Sequence, residues 1–402
     1  MNDTYVAPHR DWLAAERARL VQFAAASRAP GGGFGWLDRR GAREPDRPVP
    51  TWITGRMTHV FSLAHLLGAP EAAELVDHGI AGFRDVLRDA EHGGWFASTA
   101  DPAKAAYEHA FVVLAAGSAT AAGRPGAEDL LSEALEVVDA RFWDERAGLA
   151  RESWDREWQV TEDYRGANSN MHFVEAFLTA GDVTGDGLWH RRALGIAEFL
   201  IHEVAAAHDW RLPEHFTSDW KPVADYNRDQ PEHPFRPHGV TVGHWLEWAR
   251  LLLHLEASFG AQAPEWLLAD ARQLFASSVE RGWNVDGHPG FVYTLDWQDQ
   301  PQVRERMHWV IAEAIMTADV LHRRTGEAQY ERWYSTFWDY ARRHHIDQDE
   351  GSWLHELTPR GEPSGTVWPG KPDAYHAYHA SLLPELPLAP APALSVPALR
   401  SR

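Results

Sequence analysis

The stretch EHGGWF at residues 91–96 decides the fold, because variants of it return along the chain. They read GGGFGW at 31–36, FWDERAGL at 142–149, VDGHPGF at 285–291 and DQDEGSW at 347–353, with HDWRLPEH at 208–215 filling the remaining slot less clearly. The spacing is roughly 55–60 residues, the period of a repeated helical hairpin. Each copy sits in a long connection: 29–52, 89–103, 142–167, 208–238, 281–303 and 346–371. Short connections such as LGAP at 67–70 and GAQAP at 260–264 alternate with them.

Between these connections the apolar residues follow helical periodicity, and strand alternation is scarce. The pattern predicts about twelve helices, near 11–28, 53–67, 70–88, 104–122, 126–141, 168–181, 187–207, 239–260, 263–280, 304–326, 328–345 and 372–383. Pro70 and Pro264 stand where helices open, and Gly123 and Gly260 where they close. Six hairpins with alternating short and long links predict an all-α fold, an (α/α)6 barrel, with one ring of helices lining the inside and the long loops gathered at one mouth. No Ser/Gly linker or charge run divides the chain, so residues 1–383 read as a single catalytic domain. The proline-rich stretch 384–402 reads as an unpacked C-terminal tail.

Composition narrows the function. Of 402 residues, 58 are Asp or Glu and 38 Lys or Arg, a net charge of −20 that disfavours nucleic acid and anionic membranes as partners. The absence of cysteine excludes thiol catalysis, disulfides and zinc-thiolate sites. Neither a signal peptide nor a membrane span is legible, which predicts a cytoplasmic protein. The excess of 20 Trp and 23 His suits sugar stacking and proton transfer near neutral pH.

The two rings differ in chemistry. The odd helices, for example DWLAAERARLVQF at 11–23, are ordinary amphipathic surfaces. The even ones carry polar residues near their first turns: Arg56 in TWITGRMTH, Tyr107 in AAYEHAF, Asn168 and His172 in GANSNMHFVEA, and His244 and Glu247 in VTVGHWLEW. His308, Trp309 and Glu313 follow in RMHWVIAEA, then Asp373, Tyr375 and His376 in WPGKPDAYHAYHA. Glu247, three residues from His244, is in register to hold that imidazole or to act itself. His109, His254, His322, His344 and His345 read as structural. No HExxH, phosphate-loop or GxSxG pattern occurs, and HEVAAAH at 202–208 lacks zinc spacing. No metal and no cofactor is expected.

Two imidazoles can serve as acid and base around one carbon, helix N-termini favour their neutral form, and a guanidinium stabilises an enediolate oxygen. That equipment suits proton abstraction beside a sugar carbonyl. An inverting glycoside hydrolase would need two facing carboxylates, for which Glu247, Glu313 and Asp373 are the candidates. A non-catalytic sugar-binding protein would need the Trp but not three inward His.

GGGFGWLD, TWITGRMTHVFSLA, NSNMHFVEAFL, RPHGVTVGHWLEWARLL and WPGKPDAYHA together resemble the N-acylglucosamine 2-epimerase superfamily over about residues 10–383. The resemblance is closest to its aldose–ketose isomerase branch. It implies the (α/α)6 barrel and cofactor-independent interconversion of D-mannose and D-fructose through a cis-enediol. Sulfoquinovose isomerisation and cellobiose-type 2-epimerisation are the alternatives. It implies His244 and His376 as proton carriers, His172 in ring opening, Arg56 on the reacting oxygens and Glu247 as the accompanying acid. Asn168, Tyr107, Arg236, Trp309, Glu313 and Asp373 are expected to contact or orient the substrate. Glu356 and Lys371 are expected near its C6 end, where a carboxylate repels a sulfonate and so favours a neutral sugar. The expected partner is a monosaccharide, and the expected assembly a monomer or homodimer.

Overall fold

The computed structural model describes residues 7–399. Its helices are α1 (Ala7–Ala24), α2 (Thr51–Leu66), α3 (Ala72–Ala81), α4 (Ala106–Ala121), α5 (Ala127–Val137), α6 (Ala167–Thr184) and α7 (Gly187–Ala197). Then follow α8 (Val242–Phe259), α9 (Trp266–Gly282), α10 (His308–Thr325), α11 (Ala328–His344), α12 (Tyr375–Leu382) and the short α13 (Pro392–Ser395). The first twelve match the periodicity to within a few residues, and α3, α5 and α7 each run on into a wider π-helical turn. None of the helices among the described residues is long and apolar enough to cross a membrane.

The even helices α2 to α12 contact one another in order, and α12 returns to α2, closing an inner ring. Most of their side chains are buried on every face. The odd helices bury one stripe each and pack outside their even partners. Five pairs are consecutive hairpins. The sixth joins the chain ends, α1 lying against α12. This is an (α/α)6 barrel.

Two-residue antiparallel ladders knit the mouth. Lys104–Ala105 pairs with Ser153–Trp154, Arg165–Gly166 with His215–Phe216, Val240–Thr241 with Thr294–Leu295, and Arg306–Met307 with Glu356–Leu357. In each case the strand immediately before an inner helix pairs with the next long loop. The first helical N–H, which no intrahelical acceptor can reach, is satisfied there. Thr51, Ala106, Ala167, Val242 and His308 donate to the carbonyls of Ala97, Glu152, Glu214, Tyr293 and His355. The long loops are therefore anchored to the inner ring.

Close approach of inner helices relies on glycine at two points. A Cβ at Gly55 would meet Phe111 of α4 at 2.6 Å, and one at Gly243 would meet the Trp309 ring at 2.4 Å.

The C-terminal stretch departs from the expectation of an unpacked tail. Leu386, Ala391, Ala393 and Val396 are buried, and α13 packs against α2, α4 and α6 across the end of the barrel opposite the mouth. Its backbone is pinned by polar side chains: Leu388 O accepts from His254, Ala391 N donates to Asp182, and Leu386 O accepts from Arg323. Small apolar residues among the prolines fill the hole left by six converging helices, and proline supplies an extended backbone with few donors to satisfy.

Candidate active site

The N-terminal ends of the inner helices surround a cavity of about 590 Å³, mouth included. Arg56, Tyr107, Asn168, His172, His244, Glu247, Trp309, Asp373 and His376 all line it, so nine of the sequence-predicted residues meet in one place.

Two of its imidazoles are held alike. His244 Nδ1 lies 2.9 Å from Glu214 Oε1, and His376 Nδ1 lies 3.0 Å from Glu313 Oε1. A carboxylate on Nδ1 fixes that nitrogen as the donor and leaves Nε2 as the basic one. The indole of Trp309 sits between the two rings, 5.3 Å from His244 and 5.8 Å from His376. Burial pushes His376 below the usual imidazole range, opposed by its bond to Glu313, so the neutral base is the resting form. Glu313 is itself held down to about 2: burial would raise it, but Arg250 and His376 outweigh burial.

His172 and Glu247 form a third pair. His172 Nδ1 and Glu247 Oε1 are 3.9 Å apart, both buried and neither hydrogen-bonded. Burial, then the positive charge of Arg56, drives His172 well below its ordinary value. Burial, then Glu313, drives Glu247 well above. A carboxyl group raised toward its protonated form therefore faces an imidazole held toward its neutral form.

Arg56 bonds Asp373 at 3.2 Å and the Tyr107 hydroxyl at 2.9 Å. Its guanidinium lies 4.7 Å from the Phe111 ring, 5.0 Å from Tyr375 and 5.1 Å from Trp52, an aromatic cage that holds a delocalised cation. Burial opposes its charge, but Tyr107, Asp373 and Tyr375 keep it firmly protonated. Asn168 Oδ1 is buried at the wall with no partner, a free acceptor for a hydroxyl.

Five expectations are corrected. Glu247 does not hold His244; Glu214 does, and Glu247 turns toward His172 and Arg250. Arg236 does not line the cavity: its guanidinium is tied to both oxygens of Glu162 and lies over the Tyr164 ring, so only its neighbours Phe235 and Pro237 reach the wall. Glu356 accepts from the backbone N–H groups of Thr366, Val367 and Trp368, which orients the Trp368 indole into the cavity instead of the carboxylate. Lys371 points away, bonding Asp347 and the carbonyl of Gly351. Glu313, expected near the substrate, lies behind His376 and orients it. With Glu356 and Lys371 bonded elsewhere, neither charge reaches the cavity wall.

Other residues at the site escaped the sequence reading: Glu214, Tyr293, His355, Trp52, Phe235, Trp368 and the underlying Arg250. The repeat held a signal for some. Tyr293 and His355 stand three or four residues after the loop glycines Gly290 and Gly351, in the register of Ala97 after Gly94 and Glu152 after Gly148. Glu214 occupies the same anchoring place. The histidines read as structural behave so: His109, His254, His322 and His345 bond backbone carbonyls through Nδ1, and His344 packs on Tyr340.

One group among the described residues gathers metal-ligand atoms: His172, Glu175 and Glu247, within 4.8 Å of one another. Arg250 reaches to 3.7 Å from both carboxylates, and Glu175 also accepts the Tyr375 hydroxyl. A fixed guanidinium at that distance repels a cation, so the donor set does not fit a divalent ion.

The family model described as N-acylglucosamine 2-epimerase matches residues 32–380. A protein of Thermobifida fusca named D-mannose isomerase is 60% identical over 391 residues, covering 96% of each chain. Another of that name, from Pseudomonas cannabina pv. alisalensis, is 54% identical over 95% of this chain and 94% of its own. A crystal structure of D-mannose isomerase superposes with a TM-score of 0.87 at 27% identity, over 94% of this chain and 98% of that one.

Proposed function

Because the chain belongs to the N-acylglucosamine 2-epimerase family, we propose that it is an aldose–ketose isomerase that interconverts D-mannose and D-fructose. The observation that carries this reading is the pair of imidazoles, each fixed through Nδ1 by its own carboxylate and flanking one indole, with Arg56 in the same cavity. The similarity to proteins named D-mannose isomerase supports the choice of sugar.

The site opens the pyranose, with His172 and Glu247 as the acceptor and donor nearest one another on the wall, burial raising Glu247 toward the form that can donate. His376 Nε2 then removes the proton from C2 of the open aldose. The C2–H electron pair forms the C1–C2 double bond, and the C1 carbonyl oxygen takes up the proton of the O2 hydroxyl, giving the cis-enediol as its mono-anion with the charge on O2. His244 carries the proton between the two oxygens, and Arg56 stabilises the negative charge that develops on them. Return of the carbon-bound proton from His376 to C1, as the O2 electron pair closes the C2 carbonyl, yields the ketose. Return to C2 from the opposite face yields the 2-epimer, so glucose is the expected minor product.

A neutral sugar fits better than a sulfosugar. Among the described residues lining the cavity, Arg56 is the one Lys or Arg, and it is already paired with Asp373. A sulfonate would enter without a cation to meet it. The test is proton NMR of D-mannose with the enzyme in D2O and no added metal. Growth of fructose signals supports the isomerase; an unchanged spectrum with mannose but turnover of sulfoquinovose or cellobiose reassigns the substrate. No turnover of any reducing sugar rejects the reading.

A further inference from the structure

Beneath the cavity floor, carboxylates from three inner helices converge on a single guanidinium. Arg250 of α8 is 1% exposed and is not part of the cavity wall. Its Nε and Nη2 bond Glu313 Oε2 and Oε1 at 2.8 and 3.2 Å. Its Nη1 and Nη2 stand 3.7 Å from Glu175 Oε1 and Glu247 Oε1.

We propose that Arg250 is a positioning residue for catalysis: it selects which of three buried carboxyl groups is the anion, and thereby fixes the tautomer of His376. The kinetic part of this inference rests on the isomerase reading.

Three like charges within a few ångströms of one another cannot all persist in a buried volume with one permanent cation. A two-pronged bond to guanidinium stabilises a carboxylate more than a single longer approach does. Glu313 receives the two-pronged bond, while burial leaves Glu175 and Glu247 raised toward the protonated form. The other charged and titratable groups around this assembly do not replace Arg250: Tyr375 of α12 donates its hydroxyl to Glu175, His172 of α6 is held toward its neutral form beside Glu247, and His254 of α8 is turned to the Leu388 carbonyl. Arg56 from α2 is engaged by Asp373, and His308 from the first turn of α10 stacks on His355. His379 of α12 is bonded to His59 of α2.

The consequence reaches His376. An ionised Glu313 can only accept, so Nδ1 carries the proton and Nε2 keeps its lone pair toward the cavity. A protonated Glu313 can donate to Nδ1 instead, which moves the ring proton to Nε2 and removes the base. Arg250 thus controls a reaction it does not touch, through one carboxylate and one imidazole.

The experiment compares Arg250→Met, Arg250→Lys, Glu313→Gln and the double variant Arg250→Met/Glu313→Gln. Each is assayed for kcat and KM against pH, and its histidine tautomers are read without sugar by long-range proton–nitrogen correlation, His376 being assigned through His376→Asn. Arg250→Met should lower kcat by about 10–100-fold, the usual loss for a partner one shell behind a reacting group, with little change in KM. The acid limb of its kcat profile should move to higher pH, and the Nδ1–H tautomer of His376 should be lost. Arg250→Lys should recover part of both, and the double variant should match Glu313→Gln. Wild-type kcat and tautomer in Arg250→Met would overturn the proposal. So would a double variant far less active than Glu313→Gln, which would reveal a scaffold role. If Arg250→Met does not fold, Arg250→Lys against Glu313→Gln decides by the same limb and tautomer. A wild-type protein inactive on all reducing sugars would remove the isomerase reading, while the tautomer comparison would still judge Arg250.

Discussion

Glu214 Oε1 stands 2.9 Å from His244 Nδ1, although 30 residues separate the two in the chain. The contact exists because Glu214 anchors the start of α6, through its carbonyl, while its side chain crosses to α8. It couples the loop ladder at the mouth directly to an imidazole of the cavity wall.

Glu214→Gln should therefore lower kcat by about 10–100-fold with a much smaller change in KM. The amide can still occupy the space but no longer favours the Nδ1–H tautomer. A variant whose kcat is unchanged would separate Glu214 from the chemistry.

His376→Asn should cost about 10²–10⁴-fold in kcat/KM while leaving the thermal transition intact. Asparagine keeps a bond to Glu313 but offers no base. Deuterium incorporation at C1 from D2O should disappear together with turnover, and retention of either would remove His376 as the proton carrier.

Acid should destabilise this protein early. Burial lowers His59, His109 and His254 to about 3, far under the unfolded value of 6.5. Above pH 6.5 both states are neutral and the stability is complete. As pH falls below 6.5 the unfolded chain takes up protons that the folded chain refuses, so stability drops, by ~2 kcal/mol per histidine at pH 5. Burial raises Glu108 to about 7 and drives Glu175 and Glu247 the same way, which works in the opposite sense as pH falls toward 4.5, but the lowered histidines are more numerous. Urea midpoints should be flat above pH 7 and fall steeply below 6.5; a midpoint constant down to pH 5 would contradict this balance.

Dialysis against EDTA should leave activity unchanged, because Arg250 stands 3.7 Å from both carboxylates of the one cluster of possible ligands among the described residues. A loss restored by zinc or manganese would place a cation where the geometry disfavours it.

Composition reads residues 384–402 as unpacked, so that ending the chain at Pro384 would cost little. With Leu386 and Val396 buried against the barrel end, the loss should be roughly 3–6 kcal/mol at ordinary burial energies. It should also open Arg250 and His254 to solvent, since Leu388, Ala391 and Pro392 wall the small cavity beneath them. Calorimetry of the truncated chain checks the first consequence, and a reduced kcat in the fraction that stays folded checks the second.

Much of this could be read from the chain alone. A helix repeats its apolar face every few residues and a hairpin repeats its loop signature, so periodicity located the twelve long helices, their pairing and the chemically distinct inner ring. His172, His244, His376 and Arg56 were legible because they sit near the first turns of those inner helices. What the sequence could not carry is the partner of each group. Glu214 comes to His244 from the preceding loop, Glu313 to His376 from 63 residues away, and α1 to α12 from opposite ends of the chain. Such contacts leave no local period. The same holds for Glu356 and Lys371, whose charges looked available until the structure turned them into backbone and loop anchors. Charge state was also decided in three dimensions. Glu175, Glu247 and Glu313 are chemically the same group, and only burial and the direction in which Arg250 points make one an anion and leave the others raised toward the neutral acid.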